Sequence, residues 1–421
     1  MCGFRLELPE KLIRLYTHTM QEKRQLLRSL SLTEISFYGI GTIVGAGIYV
    51  LLGKVAGESG MYTPAAFLLS VIIVSFSAYS YAKMATRFPK SAGEAVYVIE
   101  GLKSRRLSAL TGYAISLSGV VSAATIARGF TGYFDFFSDL PPWSLIILLV
   151  ATLTAAACWG VKQSITMAVL TTLLEIGGLL LVLIVSSDEI IIQKIPWEAF
   201  IPTFDQHHLA LVASGAFLAF FAFIGFEDMV NMAEEVKNPE RNLPVGIVIS
   251  LVTTGLLYAA IAIAAVVTLP LEELSNSEAP LALLLERNST VPVEIMALIS
   301  IIAITNGALI QIIMVSRVLY GMANHQIAPR FLASVNPKTR TPMKATLLTG
   351  SLVVIFALWL PIATLAKATS SLILIVFTLV NLSLLVLNCR ERDWGITGLL
   401  APAIGAILCI SFLGLQLRNH I

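Results

Sequence analysis

Residues 39–53 read GIGTIVGAGIYVLLG, an apolar run that contains five glycines and forms most of a predicted membrane span. Glycine in a helix interior is less stable than alanine by roughly 1 kcal/mol and adds no side chain to the packing. The run therefore predicts a helix that opens near its middle. Main-chain N–H and C=O groups at membrane depth need protein or a cavity around them, so the break predicts a small polar ligand bound by the backbone. The alternative is that Gly45 and Gly47 only let a neighbouring helix approach closely.

The composition is that of a membrane protein. Of the 421 residues, 57% are hydrophobic and 13% are charged, and the mean hydropathy is +0.84. Soluble domains carry about 25% charged residues. With about 20 apolar residues for each crossing, the sequence predicts eleven spans. They lie near 35–53, 63–82, 107–133, 143–161, 164–186, 209–231, 243–269, 293–320, 345–361, 364–387 and 397–417.

The basic residues predict which way the spans run. From Lys11 onward, twenty Lys and Arg residues fall in the N-terminal segment and the even-numbered loops, against three in the odd-numbered loops. Short loops rich in Lys and Arg stay in the cytoplasm. We therefore expect a multi-pass protein of the cytoplasmic (plasma) membrane, embedded in the lipid bilayer, with a cytoplasmic N-terminus and an external C-terminus. The basic residues form no patch, which argues against nucleic acid as a partner.

The sixth span carries a second interruption. Residues 215–236 read GAFLAFFAFIGFEDMVNMAEEV, with Gly215 and Gly225 on either side of an aromatic cluster and the acids Glu227 and Asp228 inside the apolar run. Acids within a span normally face a cavity or a partner. The alternative is that the helix ends near Phe226 and the two acids are solvated.

The two interruptions occupy matching positions, since spans 1 and 6 are each the first of five. Such pairs in the two halves of a transporter indicate a binding site at the membrane midplane, because inverted repeats bring both broken helices together. A half-helix N-terminus offers N–H groups to an anion, and unwound carbonyls accept from a cation. A zwitterionic amino acid fits that polarity.

Five ordered blocks carry a family resemblance: residues 39–53, 81–98, 110–117, 220–247 and 316–342. Through them the chain resembles the amino acid–polyamine–organocation (APC) transporter superfamily. Residues 127–135 and 233–247 are similar to the cationic amino acid transporter branch and its prokaryotic relatives. The resemblance implies an all-α, polytopic, leucine-transporter-type fold with a five-plus-five inverted repeat and discontinuous helices 1 and 6. The implied division is a cytoplasmic segment at 1–31, repeats at 32–187 and 207–390, and an additional C-terminal span at 394–421.

Carried over to this chain, the resemblance implies a set of site residues. Substrate contacts on helices 1 and 6 are expected at Ile43, Gly45, Ala46, Gly47, Phe221, Ala222 and Ile224. An aromatic lid is expected at Phe223 or Phe226, although both could equally pack in the core or face lipid. Ser118 in helix 3 stands where some relatives that accept cationic amino acids carry a glutamate. That difference favours a neutral substrate, although Glu227 or Asp228 could serve a cationic one.

The resemblance also suggests residues for coupling and gating. Glu175 stands where proton-coupled relatives often carry a lysine in helix 5. Burial raises the pKa of a carboxyl group, so Glu175, Glu227 and Asp228 are the candidates for coupling to H⁺. Arg87 and Glu234 (or Glu235) are candidates for an inner gate of ion pairs, the alternative being ordinary solvated loops.

These observations predict a secondary active transporter (permease) of amino acids, preferably neutral ones, that works by alternating access as a proton symporter or as an exchanger (antiporter). The alternatives are a cationic amino acid or polyamine exchanger of the same fold, a channel, and a non-transporting amino acid sensor. The sequence shows no phosphate-binding glycine loop, nucleophile elbow or zinc-protease pattern. We therefore expect no enzyme activity, no cofactor and no metal site. The identity of the amino acid, the coupling ion and a homodimeric arrangement stay open.

Overall fold

The first predicted span consists of two helices in the computed structural model, α1 (Leu32–Val44) and α2 (Gly47–Ser59). Helix α1 begins at a capping box, in which the Ser31 hydroxyl accepts from the Glu34 N–H and the Glu34 carboxylate accepts from the Ser31 N–H. These bonds satisfy donors that a helix start leaves open. The structure describes residues 28, 30–45, 47–88, 93–159, 165–193, 197–233, 235–324, 326–339, 341–391 and 395–418.

Helices make up almost all of the remaining described chain. In order they are α3 (Thr63–Arg87), α4 (Gly93–Leu102), α5 (Arg105–Phe134), α6 (Pro142–Trp159), α7 (Ile165–Gln193), α8 (Gln206–Ala219), α9 (Asp228–Asn231), α10 (Pro239–Thr268), α11 (Leu271–Asn276), α12 (Pro280–Asn288), α13 (Val293–Asn324), α14 (Met343–Trp359), α15 (Ile362–Glu391) and α16 (Ile396–Arg418). Within these described ranges there is no β-strand, and short 3₁₀ turns complete the set.

The helices account for all eleven predicted spans. Nine helical stretches of the described chain are long and apolar enough to cross a membrane. One of them, Gly47–Arg87, joins α2 to α3, and two shorter apolar helices, Leu32–Val44 and Met343–Trp359, complete spans 1 and 9. The predicted all-α polytopic fold is therefore confirmed.

Long helices surround the two interrupted spans. Helix α5 packs against α13 and α15, α10 packs against α1 and α3, and α8 packs against α2 and α3. Residues far apart in the sequence, from both predicted repeats, consequently meet at the centre of the bundle. This packing brings spans 1 and 6 side by side.

A short backbone pairing joins the beginning of span 1 to the end of span 6. The Leu30 N–H donates to the Glu235 carbonyl at 3.0 Å, and the Lys237 N–H donates to the Leu30 carbonyl at 2.8 Å. We call this pairing the inner latch, because it lies on the side of the bundle that the Lys and Arg distribution predicts to be cytoplasmic. It ties together the two helices whose interruptions form the candidate site.

Candidate functional site

Span 6 leaves the α-helical conformation for eight residues, from Phe220 to Glu227. Helix α8 ends at Ala219, a 3₁₀ turn covers Phe220–Phe223, and Ile224 is extended with ψ of 132°. Gly225 follows with φ of +132°, a conformation that L side chains rarely adopt. The Glu227 carboxylate accepts the Gly225 N–H at 2.8 Å. The predicted interruption of span 6 is present, and Glu227 satisfies one of the donors that it exposes.

The two interruptions touch each other through backbone. A Cβ atom on Gly47 would lie 2.3 Å from Ala222 Cα, and one on Gly225 would lie 2.5 Å from the Thr42 carbonyl oxygen. Neither position has room for a side chain. Both interpretations of the first glycine run are therefore correct at Gly47, which begins a new helix after the break and also lets the neighbouring span approach closely.

A tyrosine from span 7 connects the two breaks. The Tyr258 hydroxyl lies 2.9 Å from the Ile43 carbonyl oxygen and 3.2 Å from that of Ala222, and its side chain is completely buried. A single O–H can share its proton between two acceptors, so the hydroxyl bonds carbonyls on both interrupted spans. Sequence reasoning missed Tyr258, because one tyrosine in an apolar helix is indistinguishable from an ordinary packing residue.

A cavity of about 30 Å³ lies where the breaks meet. One wall consists of residues from the interrupted spans, among them Ile43, Gly47, Phe221 and Ile224, all four of which were predicted as substrate contacts. The volume is well below the roughly 300 Å³ of a typical open ligand site. In this conformation the cavity is therefore too small to enclose an amino acid.

The lining also contains residues that the sequence did not single out, together with one that it did. Ser122 and Ile126 come from α5, Ile310 and Gln311 from α13, and Asp228, a predicted coupling residue, from the start of α9. Asp228 is the ionisable side chain of this lining. Apolar and polar groups therefore face the cavity together.

Three other predicted substrate contacts, Gly45, Ala222 and Ser118, are not part of the cavity lining. Gly45 ends α1 and donates its N–H to the Gly41 carbonyl, and Ala222 presents its carbonyl to Tyr258. Ala46 lies outside the described residues. Ser118 is one helical turn before Ser122, and its hydroxyl donates to the Ile115 carbonyl at 2.8 Å. The argument for a neutral substrate, which used Ser118, is weakened because a carboxylate from Asp228 lines the cavity instead.

Both candidate lid residues are completely buried next to the breaks. The Phe223 ring packs against Phe67 and Tyr258, with its centroid 6.4 Å and 5.1 Å from theirs. The Phe226 ring packs 5.4 Å from that of Tyr81. Both rings fill the space beside the cavity, and their role as a lid stays a prediction.

Arg87, a candidate for the inner gate, forms an ion pair in this structure. Arg87 Nη1 lies 3.2 Å from the Glu391 carboxylate at the end of α15. Glu234 lies outside the described residues. The pairing of Arg87 with Glu234 therefore stays untested, and the described contact connects span 2 to span 10 on the predicted cytoplasmic side.

Glu175 is completely buried in α7. Neither of its carboxylate oxygens has a hydrogen-bond partner among the described residues. Its backbone carbonyl accepts from the Tyr49 hydroxyl at 2.8 Å, which places it beside span 1. Burying a carboxyl group without a hydrogen-bond partner in a membrane bundle costs free energy. Such a group is therefore more often functional than structural.

An ion pair closes the opposite end of the bundle. Lys367 Nζ in α15 lies 2.7 Å from the Glu58 carboxylate at the end of α2, and the Ser214 hydroxyl of α8 donates to the same carboxylate at 2.6 Å. We call these three residues the outer clasp. It joins spans 1, 6 and 10 on the side that the charge distribution predicts to be external. Sequence reasoning missed it, because its members are separated by more than 150 residues.

The comparison with known families agrees with this architecture. A family model described as "Amino acid permease" matches residues 30–417. The chain belongs to the amino acid permease family. The predicted superfamily membership is thereby confirmed.

The permease is similar to curated transporters with different substrates in their names. It is 29% identical over 391 residues to "Cationic amino acid transporter 4, vacuolar" of Arabidopsis thaliana, covering 88% of this chain and 64% of that protein. It is 27% identical over 393 residues to the branched-chain amino acid permease BcaP of Bacillus subtilis (strain 168), covering 88% and 83%. A methylthioribose transporter of the same bacterium is 28% identical over 403 residues, covering 90% and 85%.

These relatives are transporters and not enzymes, as the sequence predicted. The chain spans 64% of the length of the Arabidopsis relative.

Among solved structures, the permease resembles a Na⁺-coupled sialic acid symporter in a substrate-bound outward-open state, with a TM-score of 0.60 and 15% identity. The match covers 89% of this chain and 88% of that one. This likeness identifies the fold as the leucine-transporter type.

Proposed function

We propose that this permease carries amino acids across the membrane by alternating access. The observation that supports this proposal best is the position of the cavity. It lies where the interruptions of spans 1 and 6 meet, so that main-chain N–H and C=O groups border it. Helices opened at membrane depth are tolerated where they serve a ligand or line a cavity.

The main-chain groups of spans 1 and 6 that border the cavity suit the α-carboxylate and α-ammonium groups that amino acids share. Helix α2 has 13 residues and begins at Gly47, which lines the cavity. The first N–H groups of a helix have no acceptor within the helix, so those of α2 can bind an α-carboxylate. The carbonyl of Ile43 lies on the same wall and can accept from an α-ammonium. It retains an acceptor lone pair beside the Tyr258 hydroxyl, because a carbonyl oxygen has two.

The closures at the two ends support alternating access over a channel. The outer clasp joins spans 1, 6 and 10, and the inner latch joins spans 1 and 6. A transporter must open one end while the other stays closed. Each closure consists of a few bonds that can break and re-form without disturbing the long helices.

Coupling to H⁺ belongs to the same proposal. Glu175 is a buried carboxyl with no hydrogen-bond partner among the described residues, and it lies beside span 1, which has to move. Exchange of one amino acid for another is the alternative mode. We further propose, from the distribution of basic residues, that the N-terminus is cytoplasmic and that the protein works in the cytoplasmic membrane, with the two repeats at 32–187 and 207–390 moving against each other.

Uptake into proteoliposomes tests the transport function. Purified permease is reconstituted, and radiolabelled amino acids are offered with and without an inward-directed H⁺ gradient, and with and without unlabelled amino acid inside. Saturable uptake of at least one amino acid is expected, and acceleration by internal amino acid would identify exchange. Binding without uptake would identify a sensor, and single-channel currents would identify a channel. Either result would refute the transport proposal.

The coupling residue has its own test. If the H⁺ gradient drives uptake, Glu175→Gln should abolish that stimulation while leaving downhill exchange measurable. Uptake that ignores the gradient in the unmodified protein, together with normal transport by Glu175→Gln, would exclude coupling through this residue.

A further inference from the structure

A further buried acid lies outside the interrupted spans. Glu94 is in the first turn of α4, the helix that follows span 2 on the side predicted to be cytoplasmic, and it is 6% exposed. Among the residues that the structure describes, it forms no salt bridge. The basic side chains of α4 and of the neighbouring ends of α3, α5 and α15 point elsewhere: Lys103 contacts Glu100, Arg87 contacts Glu391, Arg390 donates to the Gly101 carbonyl, Lys83 lies over the Tyr79 ring, and Arg105 and Arg106 are exposed. Glu94 is therefore a buried carboxyl group without a cationic partner in the described chain.

Two buried tyrosines connect Glu94 to the break in span 6. Tyr97 lies one turn after Glu94, and its ring centroid is 6.2 Å from that of Tyr81 in α3. The Tyr81 ring lies 5.4 Å from that of Phe226. Both tyrosines are completely buried, and neither hydroxyl has a hydrogen-bond partner among the described residues. Glu94 acts electrostatically on both hydroxyls. Burying a hydroxyl without a partner costs free energy, so two of them beside one carboxyl group indicate a function for that group.

The two acids at the break are close to Glu94. Asp228 acts electrostatically on the Glu94 carboxyl group, and Glu94 acts on that of Glu227. Glu227 and Asp228 are 8% and 7% exposed, and neither forms a salt bridge within the described residues. Because Asp228 lines the cavity, the three acids extend from the cavity towards the predicted cytoplasmic side. Like charges that are buried together repel, so such a group of acids holds protons in common.

Glu94 titrates near neutral pH. Burial raises the pKa of Glu94 from 4.5 to about 7, against a hydrogen bond from its own N–H that favours the ionised form. The negative charge of Asp228 adds to the effect of burial. A carboxyl group with this pKa can both bind and release a proton at neutral pH, as a proton-transfer group must.

We propose that Glu94 is the cytoplasmic proton acceptor of this permease and receives protons from the cavity through Asp228 and Glu227. This inference rests on the H⁺ coupling in the proposed function, in which Glu175 stays the candidate beside span 1. When the proton reaches Glu94, an O–H bond of the Glu227 carboxyl group breaks, an O–H bond forms on the Glu94 carboxylate, and the negative charge passes to Glu227. Glu227 can carry this proton and still accept the Gly225 N–H, because a protonated carboxyl group keeps acceptor capacity.

Net uptake and exchange separate proton release from substrate movement, because only net uptake requires the proton to leave. Both are measured with a radiolabelled substrate from the uptake screen, in proteoliposomes that hold the permease with its N-terminus inside. Net uptake is driven by an inward-directed H⁺ gradient, and exchange is measured with unlabelled substrate inside and equal pH on both sides. Glu94→Gln should lower the rate of net uptake at least tenfold and leave the rate of exchange within about twofold.

The pH profile gives a second readout. At a constant pH difference, net uptake by the unmodified protein should rise as the internal pH increases through about 7, because Glu94 must be ionised to accept a proton. Glu94→Gln should lose this dependence, and Glu94→Asp, which keeps a titratable group, should recover part of the net uptake. Glu100→Gln is the matched control, since Glu100 lies on the same helix and forms an exposed pair with Lys103. It should change neither reaction.

Tyr97→Phe decides the question if Glu94→Gln fails to fold, because it removes a hydroxyl that has no partner in the described chain. It should slow net uptake severalfold and leave exchange unchanged. Normal H⁺-driven uptake by the folded Glu94→Gln variant would overturn this inference alone. Equal loss of uptake and exchange would also overturn it, because it would assign Glu94 a structural role. If the unmodified protein exchanged substrate but ignored the H⁺ gradient, the coupling in the proposed function would be refuted, and the role of Glu94 with it.

Discussion

Replacing Tyr258 with phenylalanine removes a single hydroxyl from the point where the two interrupted spans meet. That hydroxyl lies 2.9 Å from the Ile43 carbonyl oxygen and 3.2 Å from that of Ala222. Because Tyr258 is completely buried, water cannot easily replace the lost donor. A buried acceptor without a partner costs about 1–3 kcal/mol. The free energy of unfolding should fall by about that amount.

Substrate affinity should fall as well, because both carbonyls lie at the breaks that border the cavity. Without the hydroxyl, the broken segments are less firmly held in the geometry that binds the ligand. A loss of about 1–3 kcal/mol corresponds to an affinity roughly 5- to 150-fold weaker. Tyr113→Phe is the matched control, since the Tyr113 hydroxyl donates to the Ile327 carbonyl at 2.7 Å from a side chain that is 44% exposed. Solvent can replace that bond, so this variant should behave like the unmodified protein.

The assay is calorimetric titration of the best-binding amino acid into purified permease, with melting temperatures measured on the same samples. Tyr258→Phe should lower both affinity and melting temperature, and Tyr113→Phe should lower neither. An affinity for Tyr258→Phe within twofold of the unmodified protein would show that the hydroxyl does not organise the site. Equal losses in both variants would show that the effect is not specific to the breaks.

Three further changes test other parts of the structure. Lys367→Gln breaks the outer clasp and should lower the free energy of unfolding by about 1–2 kcal/mol, between the values for surface and buried pairs. It should also reduce uptake, and the double variant Glu58→Lys with Lys367→Glu, which restores an ion pair, should recover it. Gly225 has a positive φ, and an added Cβ would lie 2.5 Å from the Thr42 carbonyl oxygen, so Gly225→Ala should abolish uptake. Gly177→Ala is the control and should transport normally, because nothing lies within 4 Å of the Cβ that it adds. Burial raises the pKa of Glu94, in the loop helix α4, from 4.5 to about 7, so the folded state holds this proton more tightly. The melting temperature should therefore fall as pH rises from about 4.5 to 7, and Glu94→Gln should flatten that slope; an unchanged slope would contradict the assignment.

Several features of the site could be predicted from sequence because they have strong local signals. The glycines of 39–53 and Gly225 indicated helices that open within the membrane, and both interruptions are present. The acids Glu227 and Asp228 indicated polar surroundings inside a span, and they lie at the second break. A glycine cluster or an acid is unusual enough in an apolar helix that a short window is sufficient to detect it.

Other features had no local signal. Ser122 and Gln311 are ordinary polar residues in long apolar helices, and only their convergence with Asp228 on one cavity distinguishes them. The sequence around Arg87 also gives no indication of its partner, because Glu391 lies about 300 residues further along the chain. Sequence distance carries no information about such pairs, because the crossing of helices decides which side chains meet.

The sequence by itself therefore determined that this protein is a bundle of membrane-spanning helices with two interruptions and a predicted orientation. These properties follow from hydropathy, glycine content and the distribution of charge, all of which act over one span or one loop. Only the tertiary structure decided which groups face the cavity, how Tyr258 joins the breaks and where the outer clasp forms. The physical reason is that hydrogen bonds and ion pairs depend on distances of about 3 Å, and those distances arise only when helices from both halves of the chain have packed together.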